Sequence, residues 1–122
     1  DPGDEAARIE DALAQTGAKA KAILLTHGHF DHIMGVEKFR NAFGGSELPV
    51  YAYEKEETML KDPLLNMSSY YGEGCTLKQV TYVTDRQELH LAGFTIQVIY
   101  GRRMLLLFPG RTGTFKWRYV VL

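Results

Sequence analysis

Apolar positions along this chain follow two different periods, and the changes between them outline its elements. In positions 5–16, Ala6, Ile9 and Leu13 fall on one side of a 3.6-residue repeat, which predicts a helix with Asp4 as its N-cap and Gly17 closing it. Positions 21–26 hold four successive apolar residues between Lys21 and Thr26, the pattern of a short strand buried on both faces. A polar, histidine-rich loop follows. Positions 36–43 predict a second helix ending at Gly44-Gly45, and positions 49–53 predict the next strand. Helix propensity returns over 54–60 and is stopped by Pro63. Positions 66–74, rich in Ser, Tyr and Gly, predict a long loop, and 80–83 a strand. The runs 89–91 and 94–99 predict a hairpin turning at Ala92-Gly93. The order is helix, strand, loop, helix, strand, helix, then antiparallel strands. That is a mixed α/β or α+β sheet with helices packed on it.

Composition narrows the class without naming a function. The chain has 122 residues, 45% apolar and 24% charged, which is an ordinary balance for one globular domain. Its longest apolar runs, 22–25 and 104–108, are far too short to span a bilayer. Cys75 is the single cysteine, so no intrachain disulfide can form, and the expected compartment is the cytoplasm. The chain begins at Asp1 and not at a methionine, and an N-terminal piece is expected to be missing. Net charge is -1, but it is unevenly spread. All 15 acidic residues lie between Asp1 and Glu88 beside nine basic ones, a balance of -6; Arg102, Arg103, Arg111, Lys116 and Arg118 then give +5 with no acid. These arginines belong to no recognised nucleic-acid module, and no nucleic-acid partner is expected.

The chemistry concentrates in Thr26-His27-Gly28-His29-Phe30-Asp31-His32. Three of the four histidines fall within six residues, directly after an apolar strand. Neutral imidazole is a strong ligand for Zn²⁺, Fe and Mn, and a carboxylate can complete such a site. His27 and His29 are two apart, so in an extended segment they point the same way. Asp31 and His32 come where the chain turns into a helix and can face a neighbouring ion. Gly28 allows close approach of backbone. Two metals about 3.5–4 Å apart can clamp attacking and leaving oxygens and bring the pKa of bound water to roughly 7, which is hydrolytic chemistry without a nucleophilic side chain. Thr26 is expected to support the loop and Phe30 to pack under it. His90 reads as a strand histidine with its polar edge in water and Cys75 as an incidental thiol. Tyr51, Tyr53, Tyr70 and Tyr71 read as packing residues, with a substrate groove as the alternative.

His27-x-His29-x-Asp31-His32 resembles the H-x-H-x-D-H motif of the metallo-β-lactamase superfamily. Asp1-Pro2-Gly3 resembles the segment that ends an early strand in that family. Positions 26–35 and 89–98 are most similar to the glyoxalase II (hydroxyacylglutathione hydrolase)-like branch, and the similarity covers about positions 1–99. The resemblance implies an αββα sandwich with its site at one edge. It implies two metal ions, usually Zn²⁺ and sometimes Fe or Mn. His27 and His29 would hold the first, Asp31 and His32 the second, and Asp31 would also orient the attacking hydroxide. The implied reaction is hydrolysis of a small-molecule thioester or ester.

Beyond Val98 the family pattern expects a Pro-Gly-His-Thr-like loop, a bridging aspartate and a final histidine. The last histidine here is His90, the last acid is Glu88, and Pro109-Gly110-Arg111-Thr112 has Arg in the histidine's place. The change of pattern coincides with the change of charge. The expected organisation is therefore a partial domain over 1–99, one half of the sandwich, followed by a divergent tail over 100–122. That tail is read as a slipped coding frame or a truncated gene, which the parent DNA sequence tests. A catalytic zinc site normally has three protein ligands, and this chain offers two to each metal. The alternative to an enzyme is thus an inactive fragment that binds metal weakly, of marginal stability and with an exposed apolar sheet edge. A phosphodiesterase or nuclease of the same superfamily is the third reading.

Overall fold

The computed structural model describes residues 1–100. Apart from Tyr100, the expected tail over 100–122 lies outside the described residues. The chain divides into two compact units, Asp1–Tyr82 and Val83–Leu122.

In the first unit, α1 (Ala6–Thr16) lays Ala6, Ile9 and Leu13 on the core, as their spacing requires, and Gly17 caps it in the left-handed conformation. The expected N-cap moves by one residue. Glu5 occupies it without a side-chain hydrogen bond, because the Pro2-Gly3 turn directs the Glu5 N–H to the Pro2 carbonyl. Strand β1 (Ile23–Leu24) runs parallel to β2 (Val50–Tyr53), with Ile23 opposite Val50 and Leu24 opposite Tyr51. Leu25 extends the ladder through its N–H to the Tyr51 carbonyl. Ile23 and Leu25 are buried while Leu24 is half-buried, so the strand is less enclosed than its apolar run predicts. The sheet order is β1-β2-β3, with β3 at Thr81–Val83.

Two helices follow β1 in close succession: α2 (Phe30–Ile33) and α3 (Val36–Phe43). Ile33, Val36 and Phe39 join Ile23, Leu25, Val50, Ala52, Leu60 and Leu77 in the core. The helix expected after β2 is split. Glu54–Glu56 forms a 3₁₀ turn and only Glu57–Lys61 is α-helical (α4). It ends at Asp62, whose extended backbone is what the following Pro63 demands. The expected loop over 66–74 contains a 3₁₀ turn at Ser68–Tyr70 and, unforeseen, two fully buried polar side chains, Asn66 and Ser68.

In the second unit, β4 (Glu88–Leu91) and β5 (Phe94–Gln97) pair antiparallel, with His90 opposite Thr95. The hairpin turns at Ala92-Gly93 as expected, and both residues have positive φ, 52° and 80°. That is the geometry of a type I′ turn, which favours Asn-Gly. Alanine there carries a steric cost of about 1 kcal/mol. Ala92→Asn is expected to raise stability by roughly 0.5–1 kcal/mol, read as a higher urea midpoint at unchanged slope.

The architecture is mixed α/β. Among the described residues, no helix is long and apolar enough to cross a membrane.

Candidate metal centre

The histidine loop leaves the C-terminal end of β1 and enters α2, and three contacts from other parts of the first unit fix its course. Behind it, the Gly28 N–H donates to Glu56 Oε2 at 2.9 Å. At its far end, the Phe30 N–H, an orphan donor of the first turn of α2, finds the Asn66 carbonyl at 2.9 Å. Asn66 is held in turn by its own side chain, whose Nδ2 donates to the carbonyls of Met59 and Cys75 and whose Oδ1 accepts from the Ser68 N–H. The third contact comes from Asp1.

The Asp1 side chain is only 8% exposed, and its carboxylate organises two of the histidines. Oδ1 accepts the Thr26 N–H at 2.7 Å, and Oδ2 accepts the Thr26 hydroxyl. His32 Nδ1 stands 3.0 Å from the same Oδ2. The proton assignment follows from this network. The Thr26 hydroxyl has one proton and spends it on Asp1, so its oxygen can only accept at its other contact, His27 Nδ1, 3.1 Å away. His27 Nδ1–H and His32 Nδ1–H are both donors, which leaves a lone pair on Nε2 of each ring. This is the usual arrangement for metal-binding histidines, whose second nitrogen is tied to a carboxylate or another acceptor.

Ligand atoms of His27, Asp31 and His32 all lie within 4.8 Å of one another. His32 Nε2 is 3.6 Å from Asp31 Oδ2, close to the roughly 3.3 Å separating neighbouring ligands at zinc bond lengths. The His27 and His32 ring centroids are 3.8 Å apart, and the His29 ring stands edge-on to His27 at 5.0 Å. The chain thus brings His27, Asp31 and His32 into one group and sets His29 beside it, at the N-cap of α2. The donor set, imidazole and carboxylate, suits Zn²⁺ and its first-row neighbours.

The His27 pKa lies below the usual histidine value. Partial burial is the main cause, followed by the positive charge of His32 and His29 when protonated, while Glu56 and Asp31 oppose the shift. Neutral imidazole is the form a metal needs. The sign for the metal-free chain follows: His27 takes up a proton less readily folded than unfolded, so stability falls as pH drops below about 6.5, and the loss is complete once pH is below the folded-state value. The urea midpoint of the metal-free chain is expected to decline from pH 7.5 to 5, and less so in His27→Gln.

The other candidates take quieter positions. His90 is exposed on β4, with Nδ1 3.2 Å from Thr95 Oγ1, and is not in the metal-type group. Cys75 is half-buried, and burial, with the charge of Glu37, pushes its thiol pKa up. Tyr53 is buried; Tyr70 and Tyr71 are exposed, and Tyr71 stacks on Phe30 at 4.2 Å. Asp1, Glu56 and Asn66 are the residues that sequence reasoning missed. Only Asp1 had a signal, its place in Asp1-Pro2-Gly3.

Comparison with known proteins identifies the family. The family model of the Metallo-beta-lactamase superfamily matches residues 1–101. The chain belongs to the metallo-β-lactamase superfamily. Among curated relatives, "Probable metallo-hydrolase YqgX" of Bacillus subtilis is 32% identical over 102 residues, 82% of this chain and 47% of that protein. "Hydroxyacylglutathione hydrolase GloC" of Haemophilus influenzae is 24% identical, with 82% and 47% covered. The crystal structure of BLEG-1, a B3 metallo-beta-lactamase, superposes with a TM-score of 0.75 at 33% identity, covering 88% of this chain and 54% of that one. TTHA1623 in a di-iron-bound form gives 0.66 at 26% identity, with 89% and 55% covered. The chain spans about half the length of these relatives. Its fold is a partial metallo-β-lactamase fold, and the superfamily it belongs to is metal-dependent.

Proposed function

We propose that the protein is a metal-dependent hydrolase of a small thioester or related ester, with His27, His29, Asp31 and His32 as metal ligands. The observation that carries the reading is the convergence of His27, Asp31 and His32, with the lone pairs of both rings freed by Asp1 and Thr26. The likeness to GloC supports the thioester class, and the likeness to YqgX supports hydrolysis. Zn²⁺ fits the donor set, with Fe and Mn as alternatives; TTHA1623 has been crystallised with two irons.

A metal held here supplies Lewis acidity and a water acidic enough to ionise near neutral pH. The remaining work belongs to the chain. His27 and His32 present Nε2 and keep their Nδ1 protons. The Asp31 side chain, 60% exposed, has an oxygen free to accept a hydrogen bond from the attacking water and so aim it at the carbonyl carbon.

One observation favours a second reading. The 122 residues hold no histidine after His90 and no acid after Glu88 to complete the ligand set, and on this second reading these residues by themselves bind metal weakly and turn over little. Hydrolysis of S-lactoylglutathione and p-nitrophenyl acetate, measured with added Zn²⁺, Mn²⁺ or Fe²⁺, tests both. Metal-dependent turnover that vanishes in Asp31→Ala supports the enzyme. Turnover absent with every metal contradicts it and leaves the second reading; turnover unchanged in Asp31→Ala contradicts the role given to Asp31.

A further inference from the structure

We propose that Glu56 is a positioning residue for the metal loop, holding the Gly28 peptide so that the histidines on either side of it face the ion. The proposal rests on the metal-site reading above. Glu56 belongs to the run Glu54-Lys55-Glu56-Glu57, in which Glu54, Lys55 and Glu57 are exposed and Glu56 alone is turned partly inward. Its Oε2 accepts the Gly28 N–H at 2.9 Å across 28 residues of sequence. Gly28 is itself buried. A peptide N–H removed from water needs an acceptor, and no backbone carbonyl among the described residues provides one.

The loop is also pressed from the same side by packing. A Cβ on Gly28 would meet Leu60 Cδ2 at 3.1 Å, Leu60 Cγ at 3.2 Å and Met59 Cγ at 3.3 Å. Leu60 is fully buried in the core. The peptide between His27 and His29 is therefore seated on Met59 and Leu60 of α4 by an apolar contact and locked there by the carboxylate of Glu56, the residue before that helix. Side chains two apart in an extended segment share a direction only while the intervening peptide keeps its orientation. A rotation of that peptide would turn His27 and His29 apart without touching either ring. Glu56 acts through the backbone and is not needed as a ligand.

Cobalt(II) affinity of the full chain, followed by its visible absorption, tests the clamp together with the exchange rate of the Gly28 amide. Glu56→Ala is expected to weaken Co²⁺ binding 10- to 100-fold, the usual effect of removing a group that orients ligands. Glu56→Gln keeps an acceptor oxygen and is expected to stay within about threefold of the parent, and Glu54→Ala is expected to match it. In the metal-free parent the Gly28 amide is expected to exchange more slowly than those of its exposed neighbours. Unchanged affinity in Glu56→Ala overturns the clamp. Equal weakening in Gln and Ala also overturns it, since the carboxylate would then act by charge. If Glu56→Ala does not fold, Glu56→Gln and the Gly28 amide decide. Failure of the parent to take up cobalt overturns the metal reading instead, and a freely exchanging Gly28 amide would then overturn the clamp separately.

Discussion

Asp1→Ala is expected to lower the metal affinity of the histidine loop 10- to 100-fold and to cost the fold about 2 kcal/mol besides. The affinity loss comes from the histidines. Without the carboxylate, His32 Nδ1 loses its acceptor and the Thr26 hydroxyl is free to turn its proton toward His27 Nδ1. Either change lets the rings adopt the tautomer or rotation in which Nε2 no longer offers its lone pair to the ion. The stability loss comes from the Thr26 N–H, which donates to Asp1 Oδ1 at 2.7 Å and would be left unpaired. Asp1→Asn separates the two effects. Its amide oxygen can still take the Thr26 N–H, but its NH₂ group cannot accept from His32 or from the Thr26 hydroxyl. Asn is expected to restore most of the stability and little of the affinity. Isothermal titration with Zn²⁺, beside urea unfolding of the metal-free chain, reads both quantities.

Gly35→Ala is expected to destabilise the fold by about 3 kcal/mol and to weaken metal binding as a consequence. A Cβ at position 35 would sit 2.7 Å from the Gly3 carbonyl oxygen and 3.5 Å from Asp4 Cα. The first is closer than real Cβ contacts, and the neighbour is backbone, which cannot rotate away. The Gly35 N–H also donates to that same Gly3 oxygen, and the Gly3 N–H donates to the His32 carbonyl at 3.2 Å. The only relief is to lift the Pro2-Gly3 turn from the α2–α3 junction, which breaks these bonds and carries Asp1 away from His32. A lower urea midpoint together with weaker Zn²⁺ binding is the expected pair of results. A normal midpoint would mean that the turn yields easily and that Asp1 is not placed by it.

These two variants show how much of the site the sequence discloses. Ligand types and their order are local properties, so His27, His29, Asp31 and His32 stand out in a seven-residue window, and the strand before them follows from its apolar run. Helix α1 and the Ala92-Gly93 hairpin are legible for the same reason, since periodicity and turn chemistry act over short distances. The groups that hold the loop are not local. Asp1 reaches Thr26 across 25 residues and Glu56 reaches Gly28 across 28, while Asn66 meets Phe30 through its backbone carbonyl. Nothing in the spelling of a Glu or an Asn says which donor it will meet. The split of 54–60 into a 3₁₀ turn and a short helix is equally a tertiary matter: Glu56 bonds Gly28 while Leu60 enters the core. Pairing within the loop is the other point that spacing leaves open. A period of two groups His27 with His29, whereas the entry into α2 brings His32 back onto His27.

The most direct test of the central claim, that this loop is a metal site, is the metal content of the chain after dialysis against micromolar Zn²⁺, beside the His27→Ala/Asp31→Ala double variant. At least one zinc per parent chain and none in the variant is expected. No zinc on the parent, or equal zinc on both, would contradict it.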